Sequence, residues 1–239
     1  MLVVCLISVF ETSLFPASSF FEARFNPAYL SCSRREIILG GEQRFNSADF
    51  RTYSIWSQIK YCSIAIASFG NNLYKENRLD IGYGFPVFKW IGAGIDLGIL
   101  NCWVKDYYSK YTYTARFGMC LQAKKPEIDF WFNNISFSKF SDIDYLPFSY
   151  SVRFCYPINN YLAFRLATRG IQKEIPFFDF GFIVSPCRMT QIDFSINTEP
   201  LLLEYGLIIG LGKLTICYAG SNHRQLGLTH SISLIFVPH

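Results

Sequence analysis

Long apolar runs and charged residues are both scarce in this sequence. No stretch of about 20 consecutive apolar residues occurs among its 239 residues, which excludes a transmembrane helix. Charged residues make up only 17% of the chain, whereas ordinary globular proteins carry roughly 25%. The net charge of +4 is not gathered into a cluster, so a nucleic-acid partner is not expected.

Histidine is rare, and the cysteines are not spaced for metal binding. The three histidines are His223, His230 and His239, and no two cysteines form a CxxC pair. The eight cysteines lie at positions 5, 32, 62, 102, 120, 155, 187 and 217. Several alternate with apolar residues, so we interpret them as small side chains within strands rather than as metal ligands or disulfide partners. The sequence predicts neither a metal site nor a cofactor.

The residue arrangement of a hydrolase is also missing from the sequence. His230 falls on the apolar side of its predicted strand, which places it near an interface rather than beside a nucleophile. Asp179 and Asp193 could face each other as a carboxylate pair. Pairing of these carboxylates with Arg165 or Arg153 is the favoured interpretation, so the chain is not expected to be an enzyme.

Aromatic residues, in contrast, are abundant, and they recur at alternate positions. They make up 18% of the chain, with 24 Phe and 15 Tyr. In the stretch 79–85 every second residue is apolar, and a period of two indicates a β-strand rather than a helix. Fourteen strands are predicted, near 35–45, 50–59, 61–69, 78–86, 90–100, 111–122, 127–135, 146–157, 160–169, 177–186, 189–198, 202–210, 213–220 and 228–236.

This pattern predicts an all-β fold, a membrane antiparallel up-and-down β-barrel of about 14 strands over residues 34–236. The tight connections are 58–60, 86–89, 124–126, 157–160, 186–188 and 211–213. The connections predicted as longer loops are 70–77, 101–110, 135–145 and 169–177. Short periplasmic turns that alternate with longer external loops are typical of outer-membrane barrels. Closure further requires the last strand, 228–236, to pair with the first, 35–45.

Small residues and isolated charges compose the polar face of these strands. Nine charges lie on it: Asp80, Asp96, Arg116, Asp129, Arg153, Arg165, Asp179, Asp193 and Glu204. Because burying an unpaired charge is costly, this composition suits a confined lumen in which the charges pair. The predicted pairs join Arg116, Arg153 and Arg165 to Asp96, Asp129, Asp179 or Asp193. The alternative is a soluble all-β binding protein that turns its aromatic face inward around a ligand.

Two further features of the polar face bear on the lumen. The glycines at positions 92, 94 and 98 are interpreted as lumen-side space makers or kinks rather than as a phosphate-binding loop. The apolar residues noticed on the same side are Ile183, Ile208 and Ile235. So few apolar positions argue against specific uptake of long-chain lipids.

The N-terminal residues have the composition of a targeting segment. A short apolar run, 1–10, precedes Ala17, Ser18 and Ser19, which suit a signal-peptidase site. A signal peptide is therefore predicted over residues 1–19, although the usual positive charges are missing, and a buried first strand is the alternative. Residues 20–33 then form a short segment before the barrel.

Two short patterns stand at the ends of the predicted barrel. The first is Asn26, Pro27 and Ala28, followed by Tyr29 and Leu30. The second comprises Leu226, Gly227, Thr229, His230, Ile232, Ser233, Leu234 and Phe236. Together with the strand count they resemble the FadL-like fatty-acid channels and the related PorV/PorQ-type proteins of type IX secretion. The resemblance implies a fourteen-strand barrel whose N-terminal segment, here a reduced hatch, lies inside the lumen.

The same resemblance implies a location and three candidate functions. The location is the bacterial outer membrane, with membrane lipid as the surrounding partner. As a PorV/PorQ-like protein the chain would take part in protein export with other secretion components. As a FadL-like protein it would be a channel for hydrophobic small molecules. A structural barrel with a closed lumen is the third candidate.

Overall fold

The computed structural model describes residues 26–122, 126–138, 146–172, 174–198, 201–223 and 227–238. The predicted signal peptide, 1–19, lies outside the described residues, as do residues 20–25 and Leu226 of the second pattern. The strands are β1 (Arg34–Gln43), β2 (Arg51–Lys60), β3 (Cys62–Gly70), β4 (Tyr74–Phe88), β5 (Ile91–Val104), β6 (Tyr108–Gln122), β7 (Glu127–Asn133), β8 (Ser149–Pro157), β9 (Leu162–Ile171), β10 (Phe177–Cys187), β11 (Thr190–Thr198), β12 (Leu201–Leu211), β13 (Leu214–His223) and β14 (Gly227–Phe236).

The fourteen strands form one closed antiparallel barrel. Each strand pairs with its neighbours along the chain, and β1 pairs with β14 to close the sheet. In that seam Ile37 lies opposite Phe236, and Gln43 lies opposite His230. The predicted fold class and the predicted pairing of the first and last strands are confirmed. No helix among the described residues is long and apolar enough to cross a membrane.

Alternation along each strand sorts the side chains between the two faces of the barrel. On β4, Ile81 is 61% exposed, whereas the neighbouring Asp80 is only 5% exposed. Successive side chains of a strand point to opposite faces, so the apolar and aromatic residues form the outer wall and the polar ones face the lumen. A soluble binding protein that turns its aromatic face inward is therefore not the arrangement found.

The strands β4, β5 and β6 are longer than the sequence pattern predicted. They contain 15, 14 and 15 residues. The connection between β3 and β4 is therefore only 71–73, and that between β5 and β6 only 105–107. The longer loops predicted at 70–77 and 101–110 are therefore wrong. Polar residues at these positions resembled a loop, but strand pairing continues through them, from Tyr74 opposite Val104 onward.

A charge placed on the last strand tests whether this closing strand guides assembly. The outward Phe236→Asp costs only about 0–1 kcal/mol in the folded barrel, because Phe236 lies near the membrane boundary. The resemblance to outer-membrane barrels implies that assembly depends on this strand. We expect the variant to refold nearly normally in detergent but to accumulate unfolded in the periplasm, as measured by heat-modifiable gel migration and cell fractionation.

The matched control is Phe88→Asp, which replaces another exposed aromatic ring at the same end of the barrel by the same charged residue. It should insert normally into the membrane. Normal insertion of Phe236→Asp in cells would contradict the assigned role of the closing strand.

Candidate functional site

A short helical turn fills part of the lumen. The 3-10 helix Pro27–Ser31 begins after Asn26, whose side-chain Oδ1 accepts a hydrogen bond from the Ala28 amide at 3.0 Å. Asn26 therefore caps the turn, and Pro27 supplies the backbone angle that the first helical position needs. Ala28 and Leu30 are almost completely buried. We call residues 26–32 the lumen plug.

Glycines on β4, β5 and β6 form the groove that receives the plug. A Cβ added to Gly94 would overlap the carbonyl oxygen of Pro27, and one added to Gly118 would overlap the Asn26 side chain. The lumen-side glycines at 84 and 92 likewise face Leu30 and Ser31. The interpretation of Gly92 and Gly94 as lumen-side space makers agrees with this arrangement, and the backbone of the plug occupies the space.

A buried ionic group on β7 and β8 also binds the plug. The Tyr29 hydroxyl donates to Asp129 Oδ2 at 2.9 Å, and Arg153 Nη2 donates to the Tyr29 hydroxyl at 2.7 Å. Arg153 Nε also donates to Asp129 Oδ2 at 2.9 Å. Asp129 lies on β7 and Arg153 on β8, so the plug is joined to strands far from it in the chain.

The end of the plug is held by an amide side chain of β2. Gln58 Nε2 donates to the carbonyl oxygen of Leu30 at 3.4 Å and to that of Cys32 at 2.9 Å. Gln58 is almost completely buried, so its amide satisfies carbonyl groups that water does not reach. The contacts of the plug therefore extend from β2 through β4–β6 to β8.

A second ionic group lies across β4, β5 and β6. Arg78 Nε contacts Asp80 Oδ2 at 2.6 Å, and Arg116 Nη2 contacts Asp96 Oδ1 at 3.0 Å and Asp80 Oδ2 at 3.4 Å. Arg78 was not recognised in the sequence, because it fell at the first position of the predicted strand, directly after the loop predicted at 70–77. Both cations lie in the lumen, where unpaired charge would be costly.

A third group of charges occupies the wall formed by β9–β12. Arg165 Nη2 contacts Asp179 Oδ1 at 3.5 Å. Glu204 accepts hydrogen bonds from Ser195 Oγ at 3.1 Å and Asn197 Nδ2 at 3.0 Å. Within the described residues no cation lies within ion-pair distance of Glu204 or Asp193, and Gln191 contacts the Asp193 carboxylate at 3.5 Å.

All nine charges assigned to the lumen from the sequence lie on the lumen face: Asp80, Asp96, Arg116, Asp129, Arg153, Arg165, Asp179, Asp193 and Glu204. Arg116, Arg153 and Arg165 contact Asp96, Asp129 and Asp179 respectively, whereas Asp193 contacts none of these arginines as an ion pair. Arg169, which lies 3.9 Å from Asp179, was missed in the sequence.

An apolar cluster lies beside the plug within the otherwise polar lumen. It comprises Leu30, Ile38, Trp56, Ile208 and Ile235, with Cys217 and Ala219, and we call it the apolar lumen patch. Only Ile208 and Ile235 were recognised from the sequence. Ile38 stands between two apolar neighbours in β1, so alternation alone could not show which of the three faces inward.

The apolar lumen patch continues into an open cavity at the tight-turn end of the barrel. This cavity has a volume of about 820 Å³ and is lined by residues of β10–β13, including Ser185, Gln191, Thr215 and Ile208. Ile208 also belongs to the apolar lumen patch. The patch and the cavity therefore meet at this side chain.

Residues of the second sequence pattern occupy both faces of β14. Gly227 has a φ of +92°, a left-handed conformation that favours glycine. Thr229 faces the lumen and accepts a hydrogen bond from the Phe45 amide at 3.3 Å. His230 lies on the outer face, with its Nδ1 2.7 Å from the Tyr218 hydroxyl, so it is not placed beside a nucleophile in the lumen. Phe236 is exposed on the same outer face.

The cysteines and potential metal ligands form no separate site in the described part of the chain. None of the seven cysteines described there forms a disulfide, and Cys5 lies outside it. No cluster of three His, Cys, Asp or Glu side chains suited to a metal ion occurs among the same residues.

Removal of Arg153 tests the ionic attachment of the plug. Arg153→Ala leaves Asp129 buried without its guanidinium and should lower the free energy of unfolding by about 3–5 kcal/mol. Tyr29→Phe keeps that ion pair and should cost only about 1 kcal/mol. Arg35→Ala, at an exposed position, is the control. Equal urea-unfolding midpoints for Arg153→Ala and Arg35→Ala in phospholipid vesicles would contradict the assignment.

A side chain at Gly94 should expel the plug without opening the barrel. In Gly94→Val the new side chain overlaps Pro27, so the backbone amides of residues 28–32 should exchange with deuterium much faster, while heat-modifiable migration persists. Gly41→Val is the control, because a Cβ at Gly41 meets no atom within 4 Å. Unchanged exchange of the plug amides in Gly94→Val would show that the groove does not hold the plug.

The fold is shared with outer-membrane barrels of known structure. No family model matches the chain, and no curated protein matches it. CymD, a monoaromatic hydrocarbon channel, is 10% identical with a TM-score of 0.66 and 94% coverage of both chains. The Pseudomonas putida toluene transporter TodX is 9% identical with a TM-score of 0.63, covering 90% of this chain and 93% of its own. A Pseudomonas aeruginosa FadL homologue is 10% identical with a TM-score of 0.61, covering 95% and 96%.

These similarities confirm, at the level of the fold, the resemblance to FadL-like barrels. The apolar outer wall is the surface that such barrels present to lipid, and it supports the predicted outer-membrane location. The chain thus has the fold of a FadL-like outer-membrane β-barrel.

Proposed function

We propose that this chain is an outer-membrane channel for small apolar molecules, with the lumen plug as the element that opens and closes the path. Two proteins with this fold support the proposal, since CymD is described as a monoaromatic hydrocarbon channel and TodX as a toluene transporter. Both are only about 10% identical to this chain, so the ligand preference proposed here rests on its own lumen residues.

The apolar lumen patch is the observation that carries the proposal. Leu30 belongs to the plug, whereas Ile38 and Trp56 belong to the barrel wall, so movement of the plug would uncover apolar surface. A small apolar molecule that took the place of Leu30 would restore the lost burial, at about 25 cal/mol per Å² of apolar surface. A small polar solute would not, so the patch favours apolar ligands.

A path out of the patch is provided by the cavity at the tight-turn end. Ile208 belongs to the patch and also lines the cavity, which has a volume of about 820 Å³. A molecule of monoaromatic size fits within this space. We infer that it would leave the patch past Ile208 and pass into the cavity at the end predicted to be periplasmic.

The lumen charges have a different part in this proposal. Asp129 and Arg153 hold the plug through Tyr29. The groups around Asp96 and Asp179 consist of charged side chains that pair with one another inside the lumen. They act as structural elements, and no transported molecule needs to contact them.

A part in protein export, which the PorV/PorQ resemblance implied, stays a prediction without an observation that favours it. CymD is described as a channel and TodX as a transporter, which supports a non-enzymatic function of this kind. The absence of catalytic activity likewise stays a prediction.

Substitution of the bridging residue tests the channel. Ile208→Asn places an amide without a partner where the patch meets the cavity, which costs on the order of 1–3 kcal/mol for an apolar molecule passing it. Uptake of N-phenyl-1-naphthylamine by intact cells that produce the protein should then slow by roughly tenfold. The probe becomes fluorescent once it has crossed the outer membrane.

The matched control is Ile209→Asn, which changes the next residue of β12 on the outer face. Comparable surface amounts of folded protein must be verified for both variants by heat-modifiable migration. Three kinds of cells are compared: cells with the Ile208→Asn variant, cells with the unaltered protein and cells without the protein. Equally fast uptake in all three would overturn the proposed channel.

A further inference from the structure

A row of hydrogen-bonded polar side chains crosses the outer wall of β3–β6. Ser68 Oγ donates to Asn77 Oδ1 at 2.8 Å, and Asn77 Nδ2 donates to Asn101 Oδ1 at 3.3 Å. Asn101 Nδ2 in turn donates to Ser109 Oγ at 2.9 Å. These four residues alternate with lumen-facing ones, so they lie on the face that carries the apolar wall. We call them the polar ladder.

The polar ladder lies at the loop end of the apolar wall. On β4 the outward positions between Asn77 and Val87 are apolar or aromatic. A strand tilted by about 40° covers roughly 26 Å over this stretch, which equals the height of the apolar band of outer-membrane barrels. The ladder therefore stands at the boundary between hydrocarbon and headgroups, on the side predicted to be external.

Position at the boundary does not by itself explain the ladder. On β10 and β12 the outward residues near the same end are apolar and exposed, namely Phe178, Leu201 and Leu203. The ladder is consequently a patch on one wall of the barrel, not a ring that every strand shares. A local feature of this kind points to a local ligand.

Groups of complementary chemistry lie directly beyond the ladder. Lys75 lies opposite Trp103 in the pairing of β4 with β5, and both face outward. The turn that carries Lys105 and Asp106 packs against the same place, since the Lys105 amide donates to the Leu73 carbonyl at 2.9 Å. An indole ring, an ammonium group and a row of amides and hydroxyls thus occur side by side.

We propose that this surface binds the headgroup of a phosphorylated glycolipid of the outer leaflet. The amides and hydroxyls of the ladder suit sugar hydroxyls, and the Trp103 ring offers an apolar face to a sugar ring. Lys75 supplies the positive charge for a phosphate. The phosphate of a glycerophospholipid could pair with Lys75, but its headgroup has no sugar rings to contact the amides and hydroxyls of the polar ladder.

The proposal is tested with the purified full chain in detergent, by native mass spectrometry with three lipids. The probes are a bisphosphorylated, acylated glucosamine disaccharide, its dephosphorylated form and phosphatidylglycerol. The bisphosphorylated glycolipid should bind best. Lys75→Ala should weaken its binding about fivefold without affecting the dephosphorylated form, whereas Trp103→Ala should weaken the binding of both glycolipids.

The other end of the same hairpin supplies matched controls. Lys89 and Trp90 form an exposed Lys and Trp pair in the turn between β4 and β5, so Lys89→Ala and Trp90→Ala should leave glycolipid binding unchanged. An equal loss from Lys89→Ala and Lys75→Ala would overturn the assigned site. Equal affinity for phosphatidylglycerol and the bisphosphorylated glycolipid would overturn the assigned headgroup.

Discussion

The contact of Tyr29 with Asp129 and Arg153 is the interaction on which the arrangement of the lumen depends. A fourteen-strand barrel is too wide for wall side chains alone to fill, and an ion pair left in a half-filled lumen would be poorly satisfied. The plug resolves both problems, because its phenol completes the hydrogen bonding of the pair while its backbone fills the space above the glycines of β4–β6. The plug therefore completes the packing and the hydrogen bonding of the lumen.

The plug joins two environments through two neighbouring residues. Tyr29 enters the ionic group, and Leu30 enters the apolar lumen patch. When a plug of this kind moves, water can take over the hydrogen bonds that Tyr29 made, but it cannot restore the burial that Leu30 lost. Only an apolar molecule restores that burial, so the composition of the patch couples opening to the presence of an apolar ligand. This physical asymmetry is the basis of the proposed selectivity.

The alternation of apolar and polar residues predicted the fold, because every strand of the barrel has one face toward lipid and the other toward the lumen. The same rule placed residues such as Asp96 and Arg153 in the lumen, where the structure has them. It did not recognise Arg78, which lay at the edge of a predicted strand, or Ile38, which lies within the apolar triplet 37–39. Alternation also could not predict that the lumen plug fills the glycine groove. Period-two patterns describe one strand at a time and carry no information on contacts across the lumen.

The two sides of the barrel differ in a way that fits the proposed channel. The long strands β4–β6 contact the plug through their inner face, and their outer face, with β3, carries the polar ladder. The patch and the cavity lie instead toward β1, β2 and β10–β14. The plug packs against the inner face of this wall, and we propose that a lipid binds its outer face. Such a wall is suited to remain fixed. Movement of the plug would then open space toward Trp56 and Ile208, and Ile208 already borders the cavity. The ionic groups of the fixed wall would stay paired.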